Sequence, residues 1–289
     1  MGYARSQQNT IFHAVVAKDG TGDYTTVQSA IDAVPENLKS PWLIFVKNGS
    51  YEEQVIIPQN KPFIHLIGQD KERTIIHLKL NVGGKPDANT KDLAYWHYSV
   101  HNPKSAVSHF EGAVVNINAS DFYSENISYV NDWGLEAQNG PQALALKTKA
   151  DRIAFYNCKF RSFQDTWMTT TRDADRHYVK ECWLEGAVDY FYGGGNALVE
   201  KSILYNVRSG SVIVAPCHES VKYGYVFRNC VIDGNEQAAD GKLKLGRPWH
   251  NSPKAVYINT LVKIPLAPEG WTNMGTIPAL FAEYNSMDM

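Results

Sequence analysis

Short strand-forming stretches recur along this chain with no helices between them, and this pattern restricts the fold more than any other feature. From residue 122 onward, six segments each run from a β-rich stretch through a polar residue to a small or apolar one. The intervals between these last residues are 31, 24, 20, 28 and 30 positions, for Ile127, Cys158, Cys182, Ser202, Cys230 and Thr260. An irregular repeat of this length is typical of a solenoid, in which each coil packs on the next.

The repeat predicts an all-β fold, a single-stranded right-handed parallel β-helix. Consecutive strands without helical crossovers cannot form a doubly wound sheet. A β-sandwich is the alternative, but it would require hairpin turns every 8–12 residues, and the sequence does not show them. We expect residues 1–289 to form one domain, since no linker divides the chain.

One short helix is predicted near the N-terminus. Apolar residues follow a helical period within 25–34, at Val27, Ala30, Ile31 and Val34. Thr25 or Thr26 would cap this helix, and Pro35 would end it. The remainder of the first eighty residues reads as strands near 12–17, 42–46, 55–57, 63–67 and 74–78.

Composition excludes several classes of protein. Of the 289 residues 44% are hydrophobic and 20% charged, and the net charge is −2, as in an ordinary globular protein. No cluster of lysine and arginine suggests a nucleic-acid partner. No apolar run approaches the roughly 20 residues that a membrane span requires, and the polar first ten residues lack the apolar core of a secretory signal.

Two further features each have two interpretations. The four cysteines contain no CxxC pair, and Cys158 and Cys182, 24 positions apart, could form a disulfide or stack as buried thiols. The long interruption between Lys79 and Phe110 could line a cleft or pack onto the solenoid. Within it, His97 and His101 would make a metal pair only on a helix, and we expect a loop and no metal.

Four polar side chains share the interval of one coil. Asp165 and Asp189 are 24 positions apart, and Gln142 and Gln164 are 22 apart. Neighbouring strands lie about 4.8 Å apart, so the coil would bring two carboxylates and two carboxamides into one small site. Each residue alone has a structural explanation, since an isolated aspartate often caps a turn. The joint spacing is what favours a site.

Such a site could hydrolyse an ester without a serine. Two carboxylates one coil apart cannot both ionise cheaply, so one is expected to have a raised pKa. One aspartate would attack the carbonyl, the amides would hold the oxyanion, and the other aspartate would protonate the departing alcohol. Arg247 would keep one carboxylate charged if it lies alongside. The Gly-x-Ser-x-Gly motif of serine hydrolases is absent.

At these residues the sequence resembles the pectin methylesterases, β-helical carbohydrate esterases with a pectin lyase-like solenoid. Five motifs occur in the family's order: Gly49-Ser50-Tyr51-Glu52-Glu53, Gln142-Ala143-Leu144-Ala145-Leu146, Phe163-Gln164-Asp165-Thr166, Gly186-Ala187-Val188-Asp189-Tyr190-Phe191-Tyr192-Gly193 and Leu245-Gly246-Arg247-Pro248-Trp249. The resemblance covers nearly the whole chain and implies demethylation of homogalacturonan. It implies no metal or organic cofactor, and it suggests a monomer that works outside the cell, in the periplasm or at the cell surface.

The resemblance also implies a role for each site residue. Asp189 would be the nucleophile, Asp165 the acid and then the base, and Arg247 would orient Asp189. Gln142 and Gln164 would donate to the oxyanion. Trp249 would stack on a sugar ring, and the implied substrate-binding residues are completed by Tyr192, Met168, Val188 and Met274.

Several positions depart from the family's usual motifs. Met168 stands where a tyrosine usually follows Gln-Asp-Thr-Leu, and Tyr192 replaces the phenylalanine that ends Asp-Phe-Ile-Phe. The stretch 214–218 replaces Thr-Ala-Gln-Gly-Arg. These changes leave open a different acyl or thioester substrate. A retaining glycosidase, which also uses close carboxylates, is a third interpretation, and a silent polysaccharide-binding solenoid is a fourth.

Overall fold

Three parallel sheets make up the computed structural model, which describes residues 12–80, 112–140 and 142–288. The ten-stranded sheet contains β1 Ala14–Val16, β2 Trp42–Val46, β5 Ile64–Gly68, β8 Phe122–Glu125, β11 Ile153–Tyr156, β14 Arg176–Lys180, β17 Asn196–Glu200, β20 Tyr225–Arg228, β23 Lys254–Ile258 and β25 Leu280–Tyr284. The nine-stranded sheet contains β3 Gly49–Glu52, β6 Thr74–Leu78, β9 Ser128–Asn131, β12 Lys159–Arg161, β15 Trp183–Gly186, β18 Ile203–Asn206, β21 Val231–Gly234, β24 Leu261–Val262 and β26 Met287–Asp288. The seven-stranded sheet contains β4 Val55–Ile57, β7 Ala113–Ile117, β10 Leu144–Thr148, β13 Trp167–Met168, β16 Val188–Gly193, β19 Val212–Pro216 and β22 Lys244–Gly246.

From β2 to β22 the described strands enter the three sheets in turn, so that each of these coils contributes one strand to each side. For example, β11 pairs in parallel with β8 and β14, which precede and follow it by one coil. This arrangement confirms the predicted parallel β-helix, and the β-sandwich alternative is wrong. The interruption predicted between Lys79 and Phe110, with its histidines, lies almost entirely in 81–111, outside the described residues.

A left-handed residue turns the chain between the ten-stranded and nine-stranded sheets on seven successive coils. These residues have φ between 48° and 57° and are Asn126, Asn157, Glu181, Lys201, Asn229, Asn259 and Asn285. Asparagine tolerates this region better than most residues. The next residue on each of the first six coils is buried at 3% exposure or less, and these six residues are the ones whose intervals define the repeat. The sequence repeat therefore marks this corner of the solenoid.

Stacked side chains fill the interior. The ring of Phe155 meets those of Phe160 and Trp167 edge-on at 5.0 and 5.1 Å, and Trp167 meets Phe191 at 5.1 Å. All four cysteines are free, so of the two interpretations of Cys158 and Cys182 the disulfide is wrong. The two thiols stack instead in the buried column behind the corner.

The helices are short. The predicted N-terminal helix is confirmed as α1 Val27–Asp32, and the Thr26 side chain accepts a hydrogen bond from the Ser29 N–H at its start. The prediction of one helix only is wrong, because α2 spans Asp132–Ala137. Asn131 caps α2 by accepting from the Trp133 N–H at 3.1 Å. Six residues including a glycine carry too little helical periodicity to be predicted. Neither described helix is long enough to cross a membrane.

Candidate active site

Parallel pairing of neighbouring coils brings the two predicted aspartates level with each other. Gln164 is bridged to Val188, and Trp167 is paired with Phe191, so the offset on both sides is 24 residues. The Asp165 N–H donates to the Val188 carbonyl at 2.9 Å. Asp165 and Asp189 therefore occupy equivalent places on adjacent rungs, as their spacing predicts.

The two glutamines lie on the adjoining rungs. The Ala143 N–H donates to the Gln164 carbonyl at 3.0 Å. This is the bond that a parallel ladder forms when Gln142 stands opposite Gln164. Both glutamine side chains are partly exposed. The structure thus brings all four predicted polar residues to one region, at the edge where the nine-stranded sheet leads into the seven-stranded one.

Both aspartates adopt left-handed backbone conformations. Asp165 has φ 61° and Asp189 has φ 50°, a region that residues other than glycine enter at a cost and that is frequent at functional sites. The pairing of β16 with β19 also shifts register between Val188 and Phe191, as in a β-bulge, which re-aims a side chain. The sharp turn of the backbone at Asp189 also requires a glycine at position 186, because a Cβ on Gly186 would lie 2.3 Å from the Cβ of Tyr190.

Arg247 forms a two-point ion pair with Asp189. Its Nε and Nη2 donate to Oδ1 and Oδ2 at 2.9 and 2.6 Å. The Asp189 side chain is 9% exposed and that of Arg247 26%. Burial raises the pKa of Asp189, while the hydrogen bonds and charge of Arg247, and more weakly the charge of Arg208, act to lower it.

Asp165 is in a different electrostatic position. Burial raises its pKa well above the usual range, and the neighbouring Asp189 carboxylate raises it further. The charge of Arg247 lowers this pKa, but less strongly. One carboxyl therefore has a bidentate cation and the other does not. This asymmetry favours an ionised Asp189 beside a protonated Asp165.

An apolar patch lies on the outer face of the seven-stranded sheet. Met168, Tyr192 and Trp249 pack together there against the buried side chains of Ala113, Leu144 and Ala215. Met168 is paired with Tyr192 across β13 and β16, and the rings of Tyr192 and Trp249 meet edge-on at 5.6 Å. Three of the five predicted substrate-binding residues thus form one surface. We call these three side chains the outer patch.

The other two predicted substrate-binding residues are not among the side chains that form the outer patch. Val188 is 8% exposed and packs with Phe163, Ala187 and Val207 on the other side of the aspartates. Met274 is exposed in the segment that leads to β25, and it belongs to neither apolar cluster beside the aspartates.

Two features near the aspartates were not predicted. Arg208 lies with its guanidinium 5.7 Å from the ring centre of Phe163 and acts electrostatically on Asp189. Arg208 follows Asp189 by 19 residues, close to the length of one coil, and this spacing is the sequence signal that could have predicted their proximity. The second feature is α2, which packs so tightly that a Cβ on Gly134 would meet the Ser162 Oγ at 2.1 Å. It thereby packs against Ser162 and Phe163, the two residues that directly precede Gln164.

Comparison with known proteins identifies the family of this chain. A family model described as Pectinesterase matches residues 13–95 and 97–286. The chain belongs to the pectinesterase family. Pectinesterase 31 of Arabidopsis thaliana is 33% identical over 275 residues, which cover 93% of this chain and 80% of the relative. A pectinesterase of Petunia integrifolia is 30% identical, with 95% of this chain and 70% of the relative covered.

Solved structures of pectin methylesterases share the fold. The carrot enzyme superposes with a TM-score of 0.79 at 25% identity, covering 96% of this chain and 83% of that enzyme. The Aspergillus niger enzyme gives a TM-score of 0.77 at 26% identity, covering 99% of this chain and 88% of that enzyme. Within the part of our chain that the structure describes, no three His, Cys, Asp or Glu side chains group as metal ligands would.

Proposed function

We propose that this pectinesterase family member hydrolyses the methyl esters of polygalacturonate, releasing methanol and leaving free carboxylates. The observation that supports this most directly is the contrast between the two aspartates. Asp189 is held by two hydrogen bonds from Arg247, and Asp165, one rung away, has a strongly raised pKa. A nucleophile and an acid are what ester hydrolysis without serine requires.

The first half of the reaction forms an acyl-enzyme. An ionised oxygen of Asp189 attacks the carbonyl carbon of the methyl ester. The carboxamides of Gln142 and Gln164 donate to the oxyanion of the tetrahedral intermediate. As that intermediate collapses, Asp165 gives its proton to the departing methoxide, and methanol leaves. Galacturonate is then joined to Asp189 as a mixed anhydride.

The second half restores the enzyme. Asp165, now ionised, takes a proton from a water molecule as that water attacks the galacturonyl carbonyl. The Asp189 carboxylate is the leaving group, and Arg247 stabilises the negative charge that returns to it. Asp165 ends protonated, and the product is the free uronic acid.

The outer patch fits the substrate side of this proposal. Trp249, Tyr192 and Met168 present an apolar surface beside the two acids, suited to the face of a sugar ring and to a methyl ester. We further propose that the protein acts as a monomer outside the cell, in the periplasm or at the cell surface, because pectin lies outside cells. We also propose that residues 1–289 belong to one pectinesterase-like domain.

A methanol assay on highly methylated pectin, combined with sizing of the polymer, tests the proposal. The expected result is methanol release with no shortening of the chains, abolished in Asp189→Ala. A matched control is Asp233→Asn, which alters a partly exposed carboxylate that accepts from the N–H of its neighbour Gly234 at 2.8 Å and from Lys263 at 3.4 Å, and it should leave methanol release intact. Shortened oligosaccharides without methanol would indicate a glycosidase. Binding without any product would indicate a silent module.

A further inference from the structure

A serine, a histidine and an aspartate form a continuous chain of hydrogen bonds on the outer face of the nine-stranded sheet. The Oγ of Ser50 lies 2.7 Å from the Nε2 of His77. The Nδ1 of the same ring lies 2.6 Å from the Oδ2 of Asp132. A nucleophile, a base in contact with it and a third group that orients the base are the parts of a serine-hydrolase triad, which is recognised by geometry rather than by sequence position.

The solenoid places these three residues on three successive coils. Ser50 is in β3 and His77 in β6, two neighbouring parallel strands. Within these strands Tyr51 and Ile76 are fully buried, and side chains alternate between the two faces of a strand, so Ser50 and His77 face outward. Asp132 is the first residue of α2, directly after β9, which pairs with the other edge of β6.

The hydrogen bonds define the tautomer of His77. A carboxylate only accepts hydrogen bonds, so the Oδ2 of Asp132 accepts from the Nδ1–H of the ring. In the neutral imidazole the Nε2 then has a free lone pair, and it accepts from the hydroxyl of Ser50. The serine therefore donates its proton to a base whose ring is oriented by a carboxylate.

The serine is open to substrate and has a cation beside it. Ser50 is exposed, and the side chains of His77 and Asp132 are 20% and 31% exposed. The ammonium of Lys18 donates to the backbone carbonyl of Ser50 at 2.5 Å. This contact places a positive charge next to the nucleophile, where negative charge develops when an ester carbonyl is attacked.

Packing alone does not explain these side chains. Backbone pairing already joins β3 to β6 and β6 to β9, over four residue pairs in each case. A typical side-chain hydrogen bond adds only about 0.5–1.5 kcal/mol to stability. The strand ladder therefore accounts for the fold of this region, but not for a serine, a histidine and an aspartate linked in this order.

We propose that Ser50, His77 and Asp132 form a second hydrolytic site, which cleaves short O-acyl esters without using the two aspartates of the first site. The Oγ of Ser50 attacks the acyl carbon as the Nε2 of His77 takes its proton. The bond from that carbon to the alcohol oxygen breaks, and His77 gives the proton to the departing alcohol. The acyl group is then joined to Ser50.

Water completes the cycle. His77 takes a proton from a water molecule as the water oxygen attacks the acyl carbon. The bond between that carbon and the Oγ of Ser50 breaks, and His77 returns the proton to Oγ. The product is the free carboxylic acid.

The experiment measures hydrolysis of p-nitrophenyl acetate by the full chain. Every protein carries Asp189→Ala, so that the nucleophile of the first site contributes nothing. Adding Ser50→Ala or His77→Gln should lower the rate above that of buffer by at least about tenfold, because positioned proton transfer contributes about 10²–10⁴-fold. Glutamine keeps a hydrogen-bonding side chain at position 77 but cannot take the proton.

Ser209→Ala is the matched control. Ser209 is exposed and donates to the Oδ2 of Asp240 at 2.5 Å, so it reproduces a serine bonded to a carboxylate without a histidine between them. This variant should keep the parent rate. A fluorophosphonate, which phosphonylates an activated serine with loss of fluoride, should modify Ser50 in the parent and not in His77→Gln, as read by mass spectrometry of the peptides.

The outcomes are decisive in both directions. A rate that falls in Ser50→Ala and His77→Gln, together with the adduct on Ser50, would support the second site. An unchanged rate in either variant, or a parent that neither hydrolyses the ester nor forms the adduct, would overturn it. If Ser50→Ala lowers Tm so far that it is unfolded in the assay, the adduct on the parent and its absence from His77→Gln decide the matter, and equal labelling of both would overturn the proposal.

Discussion

Replacing Arg247 with methionine isolates what its guanidinium does for Asp189. Methionine keeps an unbranched side chain of similar reach but removes the charge and both hydrogen bonds. Asp189 would remain buried, at 9% side-chain exposure, with no cation bound to it. Since burial already raises the pKa of Asp189 and Arg247 opposes that effect, the substitution should raise this pKa further. Less of the nucleophile is then ionised at any acidic pH.

The size of the effect follows from the geometry. Hydrogen bonds to charged groups contribute about 1.5–3 kcal/mol each, and breaking a buried ion pair costs about 3–5 kcal/mol. The Arg247 side chain is 26% exposed, so solvent weakens the pair, and we expect a loss of about 2–3 kcal/mol. At about 1.4 kcal/mol per factor of ten, kcat/KM should fall about 30- to 150-fold at the pH optimum of the wild type.

The assay is methanol release from pectin as a function of pH. The acid limb of Arg247→Met should move to higher pH, so that part of the lost activity returns as pH is raised. Arg228→Met is the matched control, because it removes an arginine paired with Glu200 on the outer face of the ten-stranded sheet. That control should keep the wild-type profile. An acid limb that stays in place in Arg247→Met would refute the reasoning.

Three more predictions concern stability and redox state. Folding raises the pKa of Asp165, so at any pH above the ordinary pKa of an aspartate, ionisation of this carboxyl favours the unfolded chain. Asp165→Asn should therefore raise Tm at neutral pH, and this gain should vanish below about pH 4. An equal gain in Tm at all pH values would contradict this. Gly186→Ala should lower the free energy of unfolding by more than about 2 kcal/mol, because the added Cβ would lie 2.3 Å from the Cβ of Tyr190. Denaturant unfolding measures this change, and an unchanged free energy of unfolding would exclude the close approach. Thiol titration of the unfolded protein without reductant should find four free cysteines, and reductant should leave Tm unchanged; two thiols would indicate a disulfide.

The solenoid was readable from the sequence because its signal is local and repeated. Each corner requires a residue that tolerates left-handed backbone, such as Asn157, followed by a small buried one, such as Cys158. That arrangement recurs on seven successive coils, so the intervals themselves report the coil length. The same intervals place Asp165 level with Asp189. By contrast, α2 went unpredicted, since its six residues are held by Asn131 and tertiary packing rather than by a periodic apolar face.

The sequence by itself determined the coil, the rungs on which the acids and amides lie, and the family motifs that contain them. Only the tertiary structure decided which carboxylate receives Arg247 from 58 residues away, and that a bulge and two left-handed residues turn both aspartates toward one place. The physical reason is that strand and corner preferences act between near neighbours in the chain. Side-chain direction and pKa depend instead on groups that only the stacked coils bring together.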